Sequence, residues 1–416
     1  MSILLSVPTA KTMTASKPPF NEVKTSKPPA VDPQSQPSAQ SADLKLDSAT
    51  LLEYVQTTYL NADEWKGPLT LQQYLDRETI LQETDLTKDG GITGWILTSD
   101  ALPRNPDGSR PILASCESIH IRAYIARGGE VQKVQAHGIA SVFTRPEYRG
   151  RGYAGRMMAE LGKKLENWKQ PEHLPSPFSV LFSDIGPKFY ARHGWNVFPS
   201  THIHMPPLDR KTYDALKTTL PAVEDLALAD LQHITTTHYV EKRLQEQSEA
   251  HPGTTYVSIP PDMEHFTWHF ARDEFQSKLL GKGDPKVKGA IHRGTGLGLI
   301  WCRVYAANEK DFRLHILHSI IPPAIKNFPD TQAAMAALLL RAQLEAQEWG
   351  MAAGVEVWDP IELSVASAQM LRTEEQGQVE VITRDKESLC SLRWNAQPEN
   401  KDQDILWLAN EKYGWC

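Results

Sequence analysis

Residues 144–155 read Thr144-Arg145-Pro146-Glu147-Tyr148-Arg149-Gly150-Arg151-Gly152-Tyr153-Ala154-Gly155 (TRPEYRGRGYAG), with three arginines and three glycines in twelve positions. The run before it, VQAHGIASVFT at 134–144, reads as a strand. After it, Ala154, Met157, Met158, Leu161, Leu165 and Trp168 recur at helical spacing, which predicts an amphipathic helix. The stretch is therefore a turn from strand to helix. A helix N-terminus exposes amides without internal partners and about half a positive charge. Glycines let a ligand approach the backbone, and arginines add forked cationic donors. Together they suit a pyrophosphate. No G-K-S/T or dinucleotide fingerprint is present.

Outward from this turn, residues 91–97 and 112–126 read as strands, and the helices before them fall near residue 50 and over 71–82. Thr50 and Glu53 have capping-box spacing. A strand at 178–184 and a short helix at 187–193 follow the amphipathic helix. Strands with short connections form hairpins, and the crossover helix demands a parallel pair, so a mixed α/β sheet with helices on its faces is expected. Residues 1–44, with SKPP twice and much Pro, Ser and Thr, read as a disordered tail. That tail has no arginine and carries Glu22 and Asp32, which does not favour a mitochondrial address.

Bulk properties narrow the function. The chain has 416 residues, 40% hydrophobic and 23% charged, enough for two packed domains. A net charge of −7 argues against a general nucleic-acid binder. The 4 cysteines are scattered without a C-x-x-C, so neither a disulfide framework nor a metal site is expected. No apolar run approaches membrane-span length, and a cytoplasmic setting fits.

Arg149 to Ala154 resembles the R/Q-x-x-G-x-G/A signature of the GNAT acetyltransferases, and Phe189-Tyr190-Ala191-Arg192-His193-Gly194-Trp195 is similar to their F-Y-x-x-x-G-F motif. More narrowly, LFSDIGPKFYARHGW at 181–195, the chain length and the Pro/Ser-rich start resemble fungal lysine N6-acetyltransferases of lysine catabolism. The resemblance implies a GNAT fold over 45–205 with acetyl-CoA as co-substrate. It places the pyrophosphate on Arg149, Gly150, Arg151, Gly152, Tyr153, Ala154 and Gly155, and pantetheine along Val142, Phe143 and Thr144. It makes Tyr190 the proton donor to the departing thiolate. The asparagine common before the short helix is replaced by Ser183 or Asp184.

Only a neutral amine attacks a thioester, so a base is needed. His137, with a pKa naturally near neutral, is the first candidate; Glu117, His120 and Asp184 are the others. A satisfied core histidine competes with a catalytic His137, and the base stays open. Cys116 reads as a buried core thiol.

Residues 206–223 read as a linker. Beyond it come a helix around 225–239, strands near 289–294, 298–306 and 313–321, a long helix over 331–349 and a strand at 354–360. The order repeats the first half, so 224–416 is expected to be a second, degenerate GNAT-like domain. Its strand-to-helix turn, IIPPAIKNFPDTQ, has no glycine, and GTGLG at 294–298 is expected to be a hairpin turn. Glu356 and Asp359 are open between orienting a cationic substrate and ordinary strand-end roles. His202, His204, His265, His269, His315 and His318 lack the partners of a metal motif. The expected partner is a small-molecule amine, L-lysine first, with no nucleic acid or membrane. The alternatives are a peptide acetyltransferase with a C-terminal docking domain, or a non-catalytic acyl-CoA-binding protein.

Overall fold

In the computed structural model, residues 20–23, 26–169, 176–234, 236–325, 330–371, 379–395 and 404–415 are described. The first half runs β1 (Leu44–Ser48), α1 (Leu51–Trp65), α2 (Leu71–Gln82), β2 (Ile92–Ser99), β3 (Ala114–Arg127), β4 (Glu130–Phe143), α3 (Tyr153–Leu165), β5 (Phe178–Ser183), α4 (Lys188–Ala191) and β6 (Asn196–Val197). Thr50 caps α1 with Glu53 in a reciprocal box, and Thr70 caps α2 the same way with Gln73. β2, β3 and β4 form an antiparallel meander, and α3 carries the chain over to β5, which lies parallel to β4. Met157, Met158, Leu161 and Leu165 on α3 are fully buried against this sheet, each worth about 1.5–3 kcal/mol of burial.

The second half continues with β7 (Thr201–Met205), α5 (Arg210–Leu216), β8 (Glu224–Leu226), α6 (Leu228–Leu231), α7 (Thr236–Ala250), β9 (Thr255–Ser258), α8 (Met263–Leu279), β10 (Gly289–His292), β11 (Leu297–Val304) and β12 (Arg313–Ile320). It ends with α9 (Thr331–Glu348), β13 (Val355–Trp358), α10 (Glu362–Met370), β14 (Glu380–Thr383), β15 (Leu389–Trp394) and β16 (Ile405–Trp407). α9 carries the chain from β12 to the parallel β13, as α3 does from β4 to β5. GTGLG is the β10–β11 hairpin turn, with Gly296 at φ 74°.

The two sheets are interleaved in sequence. The first has order β1-β2-β3-β4-β5-β15-β6, with β9 on the far end of β3 and β16 on β9. The second has order β14-β7-β13-β12-β11-β10-β8. β15, β9 and β16 thus complete the first sheet from the second half. A single core joins Ile119, Ile121 and Val180 of the first sheet to Ile300, Leu317 and α8's Phe266 and Phe270.

Three expectations need correction. Residues 26–43 of the supposed disordered tail are docked: Arg145 Nη1 donates to the carbonyls of Pro28 and Pro29, both at 3.0 Å, Tyr153 Oη donates to Pro37 O at 2.6 Å, and Ala39 is buried. Phe20 packs edge-on against Tyr54. The expected linker at 206–223 contains α5, capped by Asp209, and buried Leu208 joins the second core. The helix expected around 225–239 is instead β8, α6 and the start of α7, because Glu224–Leu226 pairs as an edge strand with β10.

Candidate active site

The loop after β4 is built as an anion cradle. Gly150 and Gly152 have φ of 80° and 87°, in the left-handed region, and Gly152 is the N-cap of α3. Among the described residues, none of the backbone amides of Gly150 to Gly155 has an acceptor. Arg149 is exposed; its Nε donates to Thr144 O at 3.1 Å and its Nη2 pairs with Glu64 at 3.0 Å. Arg151 is exposed beside it.

The neighbouring strands open a wedge. Pairing of β4 with β5 stops at Ile139↔Leu181. Between the pairs Glu117↔Ala140 and Ser115↔Phe143, β4 holds one residue more than β3, and Ser141 takes φ 51°. This bulge bends the end of β4 away from its neighbour. Ala140, Ser141 and Val142 on one side and Leu181, Phe182 and Asp184 on the other line a cavity of about 180 Å³. Phe143 packs edge-on against Trp65, and the Thr144 hydroxyl is buried without a partner among the described residues.

Glu117 and Tyr190 both line this cavity. Burial, then the nearby Glu78, pushes Glu117 up to about 7, against hydrogen bonds from Ser141 and Tyr54 and the charge of Arg77. Tyr190 is buried, and burial, with Cys116 and Asp184 adding, holds its phenol above the usual range, so it keeps its proton at neutral pH. Asp184 lines the cavity too, and its Oδ1 accepts from Ser388 N at 2.8 Å.

His137 is a correction. It lies opposite His120 in the β3–β4 ladder, the rings 5.3 Å apart, while Glu117 lies opposite Ala140. Alternation therefore puts both histidines on the face of the sheet turned from Glu117, and neither lines the cavity. Burial, then His120, depresses His137 to about 3, too weak a base for an ammonium. Cys116 is a buried core thiol, raised by burial. Glu356 is no substrate-facing acid either: it is buried against Arg313 at 2.7 Å.

Sequence reasoning missed the rest of the wall. α1 contributes Tyr54, α2 contributes Tyr74 and the ion-paired Arg77 and Glu78, and α8 with the chain's end contributes Trp268, Arg272 and Trp415. Arg272 Nε is buried without a partner and its guanidinium lies 5.4 Å from the Trp415 ring. Burial, then Arg77, lowers its pKa to about 10. These groups meet only through tertiary packing, so no local pattern announces them. Among the described residues, no group of His, Cys, Asp and Glu could hold a metal, and no helix is long and apolar enough to cross a membrane.

A glycine cradle at a helix N-terminus, set beside a split parallel pair and followed by a second sheet of like topology, defines a tandem GNAT acetyltransferase fold. Residues 112–198 match the family model for an acetyltransferase (GNAT) domain. Residues 202–416, just over half the chain, match the LYC1 GNAT-like C-terminal domain, and the chain belongs to that family. The two matches meet where the chain leaves β6 for β7. An uncharacterized protein of Saccharomyces cerevisiae, YGR111W, is 25% identical over 415 residues, 91% of this chain and 99% of the relative. A lysine acetyltransferase of Yarrowia lipolytica is 24% identical over 281 residues, 59% of this chain and 69% of the relative. A GCN5-related N-acetyltransferase from Kribbella flavida superposes with a TM-score of 0.46 at 15% identity, covering 85% of this chain and 71% of its own. A tandem GNAT protein of clavulanic acid biosynthesis gives 0.44 at 11%, covering 85% and 99%.

Proposed function

We propose that the protein transfers acetyl from acetyl-CoA to the side-chain amine of free L-lysine, directly within a ternary complex. The amides of Gly150 to Gly155, with Arg149 and Arg151, hold the pyrophosphate, and pantetheine runs along Val142, Phe143 and Thr144 into the wedge. Glu117 takes the amine's proton. The neutral nitrogen attacks the thioester carbonyl, the carbon–sulfur bond breaks, the Tyr190 phenol protonates the leaving thiolate, and the second proton shed by the acylated nitrogen restores the phenol. A lysine side chain has pKa about 10.4, so its neutral form lies about 4.6 kcal/mol uphill at pH 7. A carboxylate titrating near neutrality, beside the reacting carbon, offsets part of that cost.

The observation carrying this reading is that Glu117 and Tyr190 line one cavity that opens onto the unpaired end of β4. Three features favour a small amine over a peptide. The cavity is about 180 Å³, and α8 and Trp415 wall it from the second half. Tyr54, Tyr74, Trp268 and Trp415 offer apolar sides to an aliphatic stem. Arg272, with no ion pair among the described residues, is a fit for a substrate carboxylate. The sequence likeness to the Yarrowia lipolytica lysine acetyltransferase supports a lysine side chain as the acceptor. The test is a screen of free amino acids, polyamines and lysine-containing peptides, reading coenzyme A release. Free lysine should be the best substrate; faster turnover of a peptide overturns the assignment.

A further inference from the structure

A second cavity, of about 350 Å³, lies where the chain crosses from β14 of one sheet to β15 of the other. Its inner wall sets Arg313, Arg384, Lys412, His202 and His315 around a single buried carboxylate, Glu356. That carboxylate is already engaged. Arg313 Nη1 lies 2.7 Å from it and Trp358 Nε1 donates to it at 3.1 Å, with His202 and His315 farther off at 3.5 and 3.6 Å.

Arg384 and Lys412 are left without a carboxylate in ion-pair range among the described residues. Arg384 approaches His202 Nδ1 and donates to Ser388 O, both at 3.3 Å, lies against the Cys390 thiol, and has its guanidinium 3.9 Å from the centroid of Trp358. Lys412 is 4% exposed, and its ammonium lies 4.4 Å from the same indole and 3.7 Å from that of Trp415. A buried ammonium has three donors, and aromatic faces satisfy its charge but not its hydrogen bonds. Burial pushes Lys412 down to about 7. His315 is held well below its usual range by burial first and then by Lys412, Arg313, His269 and Arg384, all cationic or ionisable to cations. Asp385 and Glu387 stand at the rim, exposed, with Lys386 between them, where solvent screens them.

We infer that this cavity binds a small oxyanion, a phosphate or a dicarboxylate, at a site separate from the acetyl-CoA cradle. The anion accepts from Lys412 and Arg384 and neutralises the pair stacked on Trp358. The same loop is bonded to the catalytic cavity: Ser388 N donates to Asp184 Oδ1 at 2.8 Å and Gly186 N to Lys386 O at 3.1 Å. An occupant therefore braces the turn that leads into Tyr190.

The experiment is calorimetric titration of inorganic phosphate, and separately of malonate, into full-length protein saturated with coenzyme A, so that the pyrophosphate cradle is already filled. One site per chain is expected, weakened at least tenfold in Arg384→Gln and in Lys412→Met, with coenzyme A affinity unchanged in both. Binding of phosphate alone assigns the site to a phosphate ligand, and of malonate alone to a dicarboxylate. The wild type gives a second readout should a variant fail to fold: the anion should slow amide exchange over residues 384–388. No binding of either anion, binding undiminished in a folded variant, or slowed exchange confined to 149–155 overturns the proposal.

Discussion

Glu117 shows how one position in a strand decides a chemical role. It and His137 both sit in the β3–β4 ladder, and ordinary pKa values favour the histidine. Yet alternation sends His137 into the α3 face, where burial removes its basicity, and sends Glu117 into the cavity, where burial creates basicity. The alternation was legible in the sequence; which face would become the cavity was not, because the opposing wall comes from α1, α2 and α8. With a pKa of about 7, Glu117 should impose an acidic limb on kcat/KM, activity falling as pH drops below 7. Glu117→Gln should remove that limb and lower kcat about 100-fold. The same shift predicts a gain in stability. The folded pKa lies above the unfolded value of 4.5, so ionisation opposes folding: the cost is absent below pH 4.5, grows between 4.5 and 7, and is full above 7. At pH 8 the Gln variant should be more stable by up to about 3 kcal/mol in urea unfolding, an advantage that vanishes near pH 4. A wild-type pH profile in the variant would remove Glu117 from the chemistry.

Among elements, the strand–loop–helix unit was the most legible, because each of its parts has a local cause. β-Rich alternation, paired glycines and a 3.6-residue apolar stripe specify β4, the cradle and α3 without reference to the rest of the chain. The docked segment before β1 was illegible for the opposite reason. Few large apolar groups anchor it; its carbonyls accept from Arg145, Tyr153 and Arg156, which lie over 100 positions away. A Pro-rich chain has few amides to donate but keeps every carbonyl, so it suits an arginine-bearing partner. Those arginines flank the cradle, which leaves Arg149 and Arg151 exposed at its edge. The pair of Arg149 with Glu64 is solvent-screened, and a charge-assisted contact to phosphate adds about 1–2 kcal/mol. Arg149→Ala should therefore raise KM for acetyl-CoA about 5- to 30-fold with kcat kept. Unchanged steady-state kinetics would remove Arg149 from the groups that hold the pyrophosphate.

At the scale of the whole molecule, two sheets of like topology carry one cradle. The repeat of strand, crossover helix and parallel strand was readable from periodicity, but the exchange of strands between halves was not: the pairing of β15 with β5 is set by registers some 200 residues apart. The consequence is visible at the second wedge. β12 and β13 pair only to Ile316↔Val357, so they too part company, but the gap is filled by the chain's own C-terminal segment. Glu411 Oε1 accepts from Ser319 N at 2.8 Å, its other oxygen engages His318, and Asn410 N donates to Asp359 Oδ2 at 2.9 Å. A buried carboxylate occupies the place where a pantetheine amide would have to pair, and expelling it would leave His318 and Ser319 unsatisfied. The turn that follows β12 also lacks the glycines of the first cradle. Both facts predict that calorimetry returns one acetyl-CoA per chain, and that Gly152→Val abolishes the whole signal. Valine there is strained by φ of 87° and crowded by Ala39 Cβ, 3.2 Å from an added Cβ. A second equivalent site, or binding that survives in a Gly152→Val protein of normal unfolding temperature, would place the cofactor outside the cradle and force a different assignment of the two sheets.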